Sequence, residues 1–307
     1  MNRCVVVGSG AREHALAYAL ARRAEVVVTP GNAGIAAHGI TCVTTRATDL
    51  EADLFVIGPE APLVAGLADE LRRQGKTVVG PGARGAALEG SKAYMKEFLA
   101  AAGVPTAAYG AFRDEAPALS FLDTMTAPYV IKTDGLAAGK GVLVTSDLEE
   151  ARRDVREKLS GAAFGEAGTT IIIEEGLTGE ECSLHVLCDG TDVVALAPAQ
   201  DFKRVGDGDE GANTGGMGAY APMGAMSPAQ IDEIMERIIA PTVVELRRRE
   251  IDFRGVLYAG VMLTERGPLL LEYNVRFGDP ETEVLVPLYG ELFELLLRTA
   301  EGRLSGA

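Results

Sequence analysis

The chain has 307 residues, 47% of them hydrophobic, and a formal net charge of −15 at pH 7. This length supports two or three compact domains, and the apolar content excludes an intrinsically disordered chain. The negative charge is broken by no basic run longer than the three arginines at 247–249. We therefore expect no nucleic acid partner.

The four cysteines form no C-x-x-C pair, and only three histidines accompany them. This pattern predicts free thiols in a reducing compartment rather than a zinc site or a disulfide framework. No apolar run reaches membrane-spanning length, and no signal peptide precedes the first predicted strand. We expect a cytoplasmic protein without a membrane partner.

The first hundred residues predict a doubly wound parallel α/β domain. A β run at 4–7 is followed by a glycine turn and a helical pattern at 15–23, and further strands are predicted at 25–29, 54–57 and 77–79. Each strand ends in a loop rich in glycine or proline, and turn chemistry alone would explain any one of them. Ligands of open α/β sheets bind at this edge, so the four loops together, with Arg12, Asn32 and Glu60, favour a small-molecule site.

A glycine-rich hairpin is predicted from two β runs at 129–132 and 142–145. Lys132 ends the first run, and Lys140 lies among the glycines of the loop. Glycines let backbone N–H groups approach an anion and lysines supply countercharge, so the loop is suited to phosphate. On this evidence alone an ordinary hairpin is an equal alternative. It is not a Walker loop, because a strand rather than a helix follows it.

A later apolar strand, predicted at 269–273, carries a second set of polar residues. Strand alternation places Glu272 and Asn274 on the same face. Carboxylate and amide oxygens suit Mg²⁺ or Mn²⁺, usually completed by water and substrate phosphates. Together with the glycine-rich hairpin, this strand resembles the ATP-grasp superfamily of carboxylate–amine ligases.

The rest of the chain predicts an α+β arrangement. Elements are predicted as a helix at 88–99, a helix at 148–159, a strand at 170–174, a hinge at 174–181, strands at 183–188 and 193–197, a long polar loop at 200–220, a helix from 228 to about 249, a strand at 255–263 and a helix near 292–303. We predict domains at 1–105, 106–182 and 183–307.

Eight motifs then make the resemblance more specific. They lie at 8–15, 30–34, 58–64, 88–92, 134–141, 203–207, 213–220 and 276–282. On these motifs the chain resembles the phosphoribosylamine–glycine ligase family over almost its whole length. The resemblance implies an ATP-grasp fold with an N-terminal α/β domain, a lid and a central ATP-binding domain. It also implies ligation of glycine to 5-phosphoribosylamine through glycyl phosphate, with ATP giving ADP and phosphate, in purine biosynthesis.

The resemblance also implies roles for individual residues. The implied ATP-binding residues are Lys92, Lys132, Gly139, Lys140, Gly141, Glu174, Glu175, Leu177 and Glu181. The implied metal ligands are Glu272 and Asn274. The implied catalytic residues are Arg276, Lys203, Arg204 and Asp279, of which Arg276 and Asp279 would lie near the acyl phosphate and glycine. The implied substrate-binding residues are Gly10, Arg12, Glu13, Asn32, Gly34, Glu60, Pro62, Asn213, Thr214, Gly215, Gly216 and Met217.

Four positions depart from the family's pattern. Phe202 stands where the family has histidine, Ala212 where it has proline, Val275 where it has cysteine and Glu283 where it has glutamine. The family also continues with a further domain beyond the position of Ala307. We expect this chain to lack that domain, to expose an apolar face of its last helix and to form a homodimer.

Two other functions stay open. The chain could be a related ATP-grasp ligase that joins a different carboxylate and amine in specialised metabolism, or a non-catalytic ATP-binding protein. Retention of the metal pair and of Arg276 argues against a pure binding protein, which needs no metal ligands. The 30–34 and 58–64 loops favour the purine-pathway ligase over the related ligase.

Overall fold

The computed structural model describes residues 2–136, 141–161, 170–208 and 210–306, with the main chain alone at 210, 212 and 213. Its strands are β1 Asn2–Gly8, β2 Ala24–Pro30, β3 Thr41–Cys42, β4 Leu54–Ile57, β5 Val78–Val79, β6 Tyr109–Phe112, β7 Tyr129–Thr133, β8 Val142–Thr145, β9 Ile171–Glu175, β10 Glu180–Asp189, β11 Val193–Ala195, β12 Gln200–Asp201, β13 Arg204–Gly206, β14 Glu210–Asn213, β15 Ala219–Tyr220, β16 Arg254–Thr264 and β17 Gly267–Asn274. Its helices are α1 Ala11–Leu20, α2 Ala33–Ala37, α3 Glu60–Val64, α4 Leu67–Arg73, α5 Ala83–Gly90, α6 Lys92–Ala102, α7 Glu115–Leu122, α8 Leu148–Leu159, α9 Pro228–Ile234, α10 Ala240–Arg248, α11 Glu281–Leu285 and α12 Leu292–Glu301.

The N-terminal sheet is parallel, with strand order β3-β2-β1-β4-β5. This confirms the doubly wound arrangement and brings the predicted loops to one edge. The predicted start of α1 at residue 15 is wrong, because the helix begins at Ala11. The Glu13 carboxylate accepts a hydrogen bond of 2.6 Å from the Gly10 amide, which satisfies a donor at the helix start and sets the first turn earlier.

A small second sheet carries the glycine-rich hairpin. Its order is β6-β9-β7-β8, and all of its strand pairs are antiparallel. The predicted hairpin is confirmed, with Tyr129 opposite Thr145 and Lys132 opposite Val142. α7 and α8 cover one face and enclose a separate core that includes Leu122, Ile131 and Val155. The hairpin is therefore stabilised by a small hydrophobic core that is separate from the main core.

The central sheet has order β11-β10-β16-β17 and shares its core with the N-terminal sheet. One hydrophobic cluster contains Val5 and Phe55 of the N-terminal sheet together with Leu184 and Leu257 of the central sheet. The domain limit predicted after residue 182 would fall inside β10. The two sheets accordingly behave as parts of one packed body, in which loops from both reach a common edge.

Three further predictions need correction. The helix predicted at 88–99 is two helices, α5 and α6, separated by Ser91, which caps α6 by accepting from the Tyr94 amide. The loop predicted at 200–220 contains two short antiparallel pairs, β12–β15 and β13–β14. The helix predicted from 228 to about 249 includes a π-helical stretch at Met235–Ile239 between α9 and α10.

All four thiols are free, as predicted, and three of them are buried. Burial raises the pKa of the Cys182 thiol to about 12, which makes it inert. Among the described residues, none of the helices combines the length and the apolar content needed to cross a membrane.

The apolar face of the C-terminal helix α12 is not exposed. Leu292, Phe293 and Leu296 are buried in a cluster that also contains strands of both large sheets. Leu295 and Leu297 are partly buried against the same cluster. The surface from which we expected a homodimer is thus largely covered, and the homodimer stays a prediction.

Asp189 fixes the chain that follows α12. Its carboxylate accepts hydrogen bonds from the amides of Leu304, at 2.8 Å, and of Thr191 and Asp192 at the β10–β11 turn. Burial alone would raise the pKa of Asp189, but these three bonds outweigh it and lower the pKa. Stability from this group is therefore complete above the ordinary aspartate pKa and is lost as the pH falls through the lowered value.

We predict that Asp189→Asn lowers the free energy of unfolding at pH 7 by about 1–2 kcal/mol, because the amide keeps one acceptor but loses the charge. Urea unfolding measures this loss. Below pH 4 the difference from the parent should shrink, since the parent loses its own Asp189 contribution there. A difference that stays constant down to pH 2 would contradict this account.

Candidate active site

A cleft of about 1180 Å³ lies between the N-terminal loops, the hairpin sheet and the central sheet. The predicted site residues that line it are Arg12, Glu60, Lys92, Lys132, Gly141, Glu174, Glu175, Leu177, Glu181, Lys203, Arg204, Thr214, Gly215, Glu272, Asn274, Arg276 and Asp279. Loops from all three sheets thus bring most of the predicted residues to one place.

Other predicted residues lie elsewhere. Those outside the lining of this cleft are Gly10, Glu13, Asn32, Gly34, Pro62, Gly216 and Met217. Gly139 and Lys140 lie outside the described residues, as does the side chain of Asn213. The site therefore draws on the N-terminal loops, on the hairpin residues that flank the loop and on the central sheet.

Glu272 lies within a ring of cationic side chains. Burial alone would raise the pKa of this carboxylate, but the nearby lysines and arginine hold it below its ordinary value. The cations responsible are Lys203, Lys132, Lys92 and Arg276. The Glu272 carboxylate makes no hydrogen bond or ion pair to another described residue, so its oxygens are available to a ligand.

Asn274 lies two residues further along the same strand face, as predicted, and its Oδ1 accepts a hydrogen bond of 3.0 Å from Arg276. A free carboxylate beside an amide oxygen suits a hard divalent cation. No group of three or more His, Cys, Asp or Glu side chains with metal-binding geometry occurs among the described residues. The pair thus fits a cation whose remaining ligands come from substrate and water.

Arg276 is held by several acceptors. Its guanidinium donates to the Glu89 carboxylate at 2.8 Å and to the Phe277 carbonyl at 3.2 Å. The Glu60 carboxylate lies 3.4 Å from its Nε without forming a hydrogen bond. Glu89 was missed in the sequence analysis, because 187 residues separate it from Arg276 and spacing gives no signal across that distance.

The Glu174 carboxylate is clamped between two lysines. Lys132 Nζ lies 3.2 Å from one of its oxygens and Lys96 Nζ lies 3.3 Å from the other. Lys96 is fully buried and also donates to Thr106 at 2.8 Å. Burial lowers the pKa of Lys96 to about 8, and Glu174 opposes this effect. Because both carboxylate oxygens lie beside lysines, Glu174 can offer a ligand bound at the 174–181 hinge chiefly its backbone groups.

A third ion pair lies at the other side of the cleft, where Lys203 contacts the Glu181 carboxylate and lies 3.8 Å from Asp201. Burial alone would lower the pKa of Lys203, but Glu181 and Asp201 raise it above its ordinary value. Burial raises the pKa of Asp201 to about 6. The Lys203 carbonyl accepts from the Thr214 amide at 2.7 Å, which ties this lysine to the glycine-rich strand end.

The N-terminal loops are shaped by their own polar residues. Besides the Gly10 amide, the buried Glu13 carboxylate accepts from Arg12 at 2.5 Å, so the start of α1 is already occupied by an anion. Asn32 caps α2 and donates to the Ser9 carbonyl. Glu13 and Asn32 thus hold loops in shape, whereas Arg12 reaches across to donate to the Phe277 carbonyl.

Comparison with known families places the chain. The model of the phosphoribosylglycinamide synthetase N domain matches residues 2–89, and that of the phosphoribosylglycinamide synthetase ATP-grasp (A) domain matches residues 90–282. The chain belongs to the phosphoribosylglycinamide synthetase family. The boundary between the two matches falls immediately after Glu89, so the contact of Glu89 with Arg276 joins the two domains of the family.

Individual relatives agree with this assignment. The chain is 47% identical to phosphoribosylamine–glycine ligase of Mesorhizobium japonicum, over 98% of this chain and 74% of the relative. It is 48% identical to the same-named enzyme of Rhizobium meliloti, over 99% and 75%. The crystal structure of phosphoribosylamine–glycine ligase from Thermotoga maritima superposes with a TM-score of 0.84 at 36% identity, over 98% and 75%.

We predict that Lys96→Met lowers the free energy of unfolding by about 3 kcal/mol, because it leaves the Glu174 carboxylate buried with one partner fewer. In the Lys96→Met background, Glu174→Leu should cost less than it costs in the parent, since the Lys96–Glu174 interaction is already absent there, whereas Lys132 loses its partner in both backgrounds. Urea unfolding of the parent, the two single variants and the double variant measures both costs. Equal costs in the two backgrounds would contradict the proposed pairing.

Proposed function

We propose that this chain catalyses the ATP-dependent ligation of glycine to 5-phosphoribosylamine, giving glycinamide ribonucleotide, ADP and phosphate. The observation that carries the proposal is the uncommitted Glu272 carboxylate, set beside Asn274 within the cationic cleft of a chain of this family. A metal-binding pair ringed by cations serves phosphoryl transfer, whereas a protein that only binds ATP has no need of it.

In this proposal the cleft separates two chemical events. The glycine carboxylate attacks the γ-phosphorus of ATP, ADP leaves, and glycyl phosphate forms. The amine of phosphoribosylamine then attacks the glycyl carbonyl carbon, the C–O bond to phosphate breaks, and the extra proton of the amine passes to the released phosphate. No side chain becomes covalently modified, so the residues act by positioning and charge neutralisation.

The residues of the cleft divide this work. Lys92 and Lys132 neutralise the ATP phosphates, and the backbone at 174–177 receives the adenine. Glu272 and Asn274 hold Mg²⁺ or Mn²⁺, which neutralises phosphate charge when it is bound. Arg276 and Lys203 face the position of the acyl phosphate, where fixed cations stabilise the charge that develops on oxygen.

The remaining predicted residues contact the substrates or form the loop that covers the ATP phosphates in this proposal. Gly141 borders that loop, and Gly139 and Lys140 complete it in this proposal. Arg204, Asp279 and the glycine residues near Thr214 border the part of the cleft where the substrate glycine would bind. Arg12 and Glu60 border the part of the cleft where phosphoribosylamine would bind. The polar contacts of Glu13 and Asn32 hold the neighbouring N-terminal loops in shape.

A related ligase with a different acceptor is the second candidate, because Phe202, one of the departures from the family pattern, lines the cleft, and Glu283, another, lies two residues after Glu281, which also lines it. Phe202 lines it with half of its surface exposed, in place of a polar histidine. Both carboxylate oxygens of Glu283 are buried without a hydrogen-bond partner among the described residues, and burial raises the pKa of Glu283 to about 7. An altered acceptor would suit both features.

An ADP-release assay tests the proposal and separates the candidates. Purified protein receives ATP, Mg²⁺ and a panel of carboxylates and amines, with phosphoribosylamine generated in the reaction mixture. We expect ADP release that requires both glycine and phosphoribosylamine, with glycinamide ribonucleotide as product. Release with another pair would favour the related ligase, and no release with any pair would favour an ATP-binding protein.

We predict that Glu272→Ala lowers kcat by about 100-fold or more, because it removes the only charged member of the metal pair. It should also shrink the rise in Tm that MgATP produces, since ligand stabilisation scales with affinity. The matched control is Glu265→Ala, at the exposed turn between β16 and β17. Parental turnover in Glu272→Ala would refute the metal assignment.

A further inference from the structure

The guanidinium of Arg276 lies between two carboxylates that both come from the N-terminal part of the chain. Glu89 accepts from its NH2 group at 2.8 Å, and Glu60 lies 3.4 Å from its Nε. Both glutamates fall within the N-domain match at 2–89, and the arginine falls within the ATP-grasp match at 90–282. The arginine of one domain is thus oriented by the other.

Glu89 has the geometry of a fixed support. One of its oxygens accepts from the Arg276 guanidinium, and the other accepts at 2.8 Å from the backbone amide of Val275. Its side chain is only 8% exposed. Because Glu89 binds both the Arg276 guanidinium and the amide of the preceding residue, it restrains the arginine side chain and also the turn that follows β17.

Glu60 differs from Glu89 in each of these respects. It makes an ion pair with Arg276 but no hydrogen bond, and about a third of its side chain is exposed. The Nε of Arg276 is buried and lacks a hydrogen-bond partner among the described residues. Glu60 therefore adds charge at this place but does not set the orientation of the guanidinium.

A second contact grips the same turn from the same side. Arg12 donates to the Phe277 carbonyl at 3.2 Å, and that carbonyl also accepts from Arg276. Asp279, two residues further on, lies beside Gly10. The turn at 275–279 is thus assembled against the N-terminal loops and not by the central sheet alone.

We propose that Glu89 is a positioning residue for the ligase reaction: it holds the Arg276 guanidinium and the 275–277 backbone in the orientation that the reaction needs. The inference rests on the proposed function, because it assigns Glu89 a role at that same site. Glu89 itself need not touch substrate, since it acts through Arg276. Its loss should lower kcat and leave the KM for ATP nearly unchanged, because the residues proposed for ATP lie on other elements.

A double-variant cycle tests this role. Glu89→Gln is nearly isosteric and keeps one acceptor but loses the charge. We expect it to lower kcat by about 10- to 100-fold, since small misplacements at a reacting centre cost that much, with the KM for ATP changed less than about 2-fold. In the Arg276→Gln background the same change should cost less than about 3-fold, because the group that Glu89 positions is already absent.

Two variants serve as comparators. Glu60→Gln should lower kcat less than Glu89→Gln, since Glu60 makes no hydrogen bond to the arginine. Glu291→Gln removes an exposed carboxylate that pairs with Arg23 away from the cleft, and it should leave kcat unchanged. Melting temperatures of all variants separate loss of fold from loss of orientation. If Glu89→Gln does not fold, Glu89→Asp, which keeps the charge but shortens the reach, carries the same cycle.

The outcomes are distinct. Equal losses of kcat in both backgrounds would overturn the inference, because Glu89 would then act independently of Arg276. An unchanged kcat in the single variant would overturn it as well. Failure of the proposed function would appear differently, as an unmodified chain without ADP release in the presence of glycine and phosphoribosylamine. In that case the cycle is measured with the substrate pair that does support release.

Discussion

The site depends on competition for its lysine and arginine side chains, which lie partly buried in the cleft beside carboxylates. Lys132, Lys203 and Arg276 are each paired with a carboxylate of the protein before any ligand arrives. These pairs hold long, flexible side chains in place and keep the chain folded around several buried cations. In the proposed function, phosphate groups would therefore compete with carboxylates for the same donors. Glu272 is the exception, since its carboxylate is surrounded by cations but contacts none of them within ion-pair distance.

The shared hydrophobic core gives this charge arrangement its rigidity. Because one cluster includes residues of both the N-terminal and the central sheet, the loops of the two sheets are held in a fixed relation. The hairpin sheet, by contrast, has a small core of its own and reaches the rest of the chain through polar contacts such as Ser91 with Asp134. The site is thus built from a rigid pair of sheets and a separately supported hairpin.

Local patterns in the sequence predicted much of this arrangement. Alternation along β17 placed Glu272 and Asn274 on one face, where both line the cleft. The predicted 200–220 loop was wrong, because its strands are two to four residues long and rich in polar residues and glycine, which leaves almost no alternation to detect. The contact of Glu89 with Arg276 could not be predicted, since it depends on how two distant elements pack. Neither could the roles of Glu13 and Asn32, whose residue types suit a ligand and a helix cap equally well.

The buried Glu13 side chain also limits how the N-terminal loops can vary. It fills the space above two glycines, at the ends of β1 and β4. A Cβ atom at Gly58 would collide with its carboxylate, and one at Gly8 would lie 2.5 Å from its Cγ. Gly8 also has a φ of +132°, which side chains rarely adopt. Position 58 and position 13 are therefore sterically coupled: a larger residue at 58 requires a shorter one at 13, which in turn leaves the Gly10 amide without its acceptor. A single side chain thus requires glycine at the ends of two neighbouring strands of the sheet.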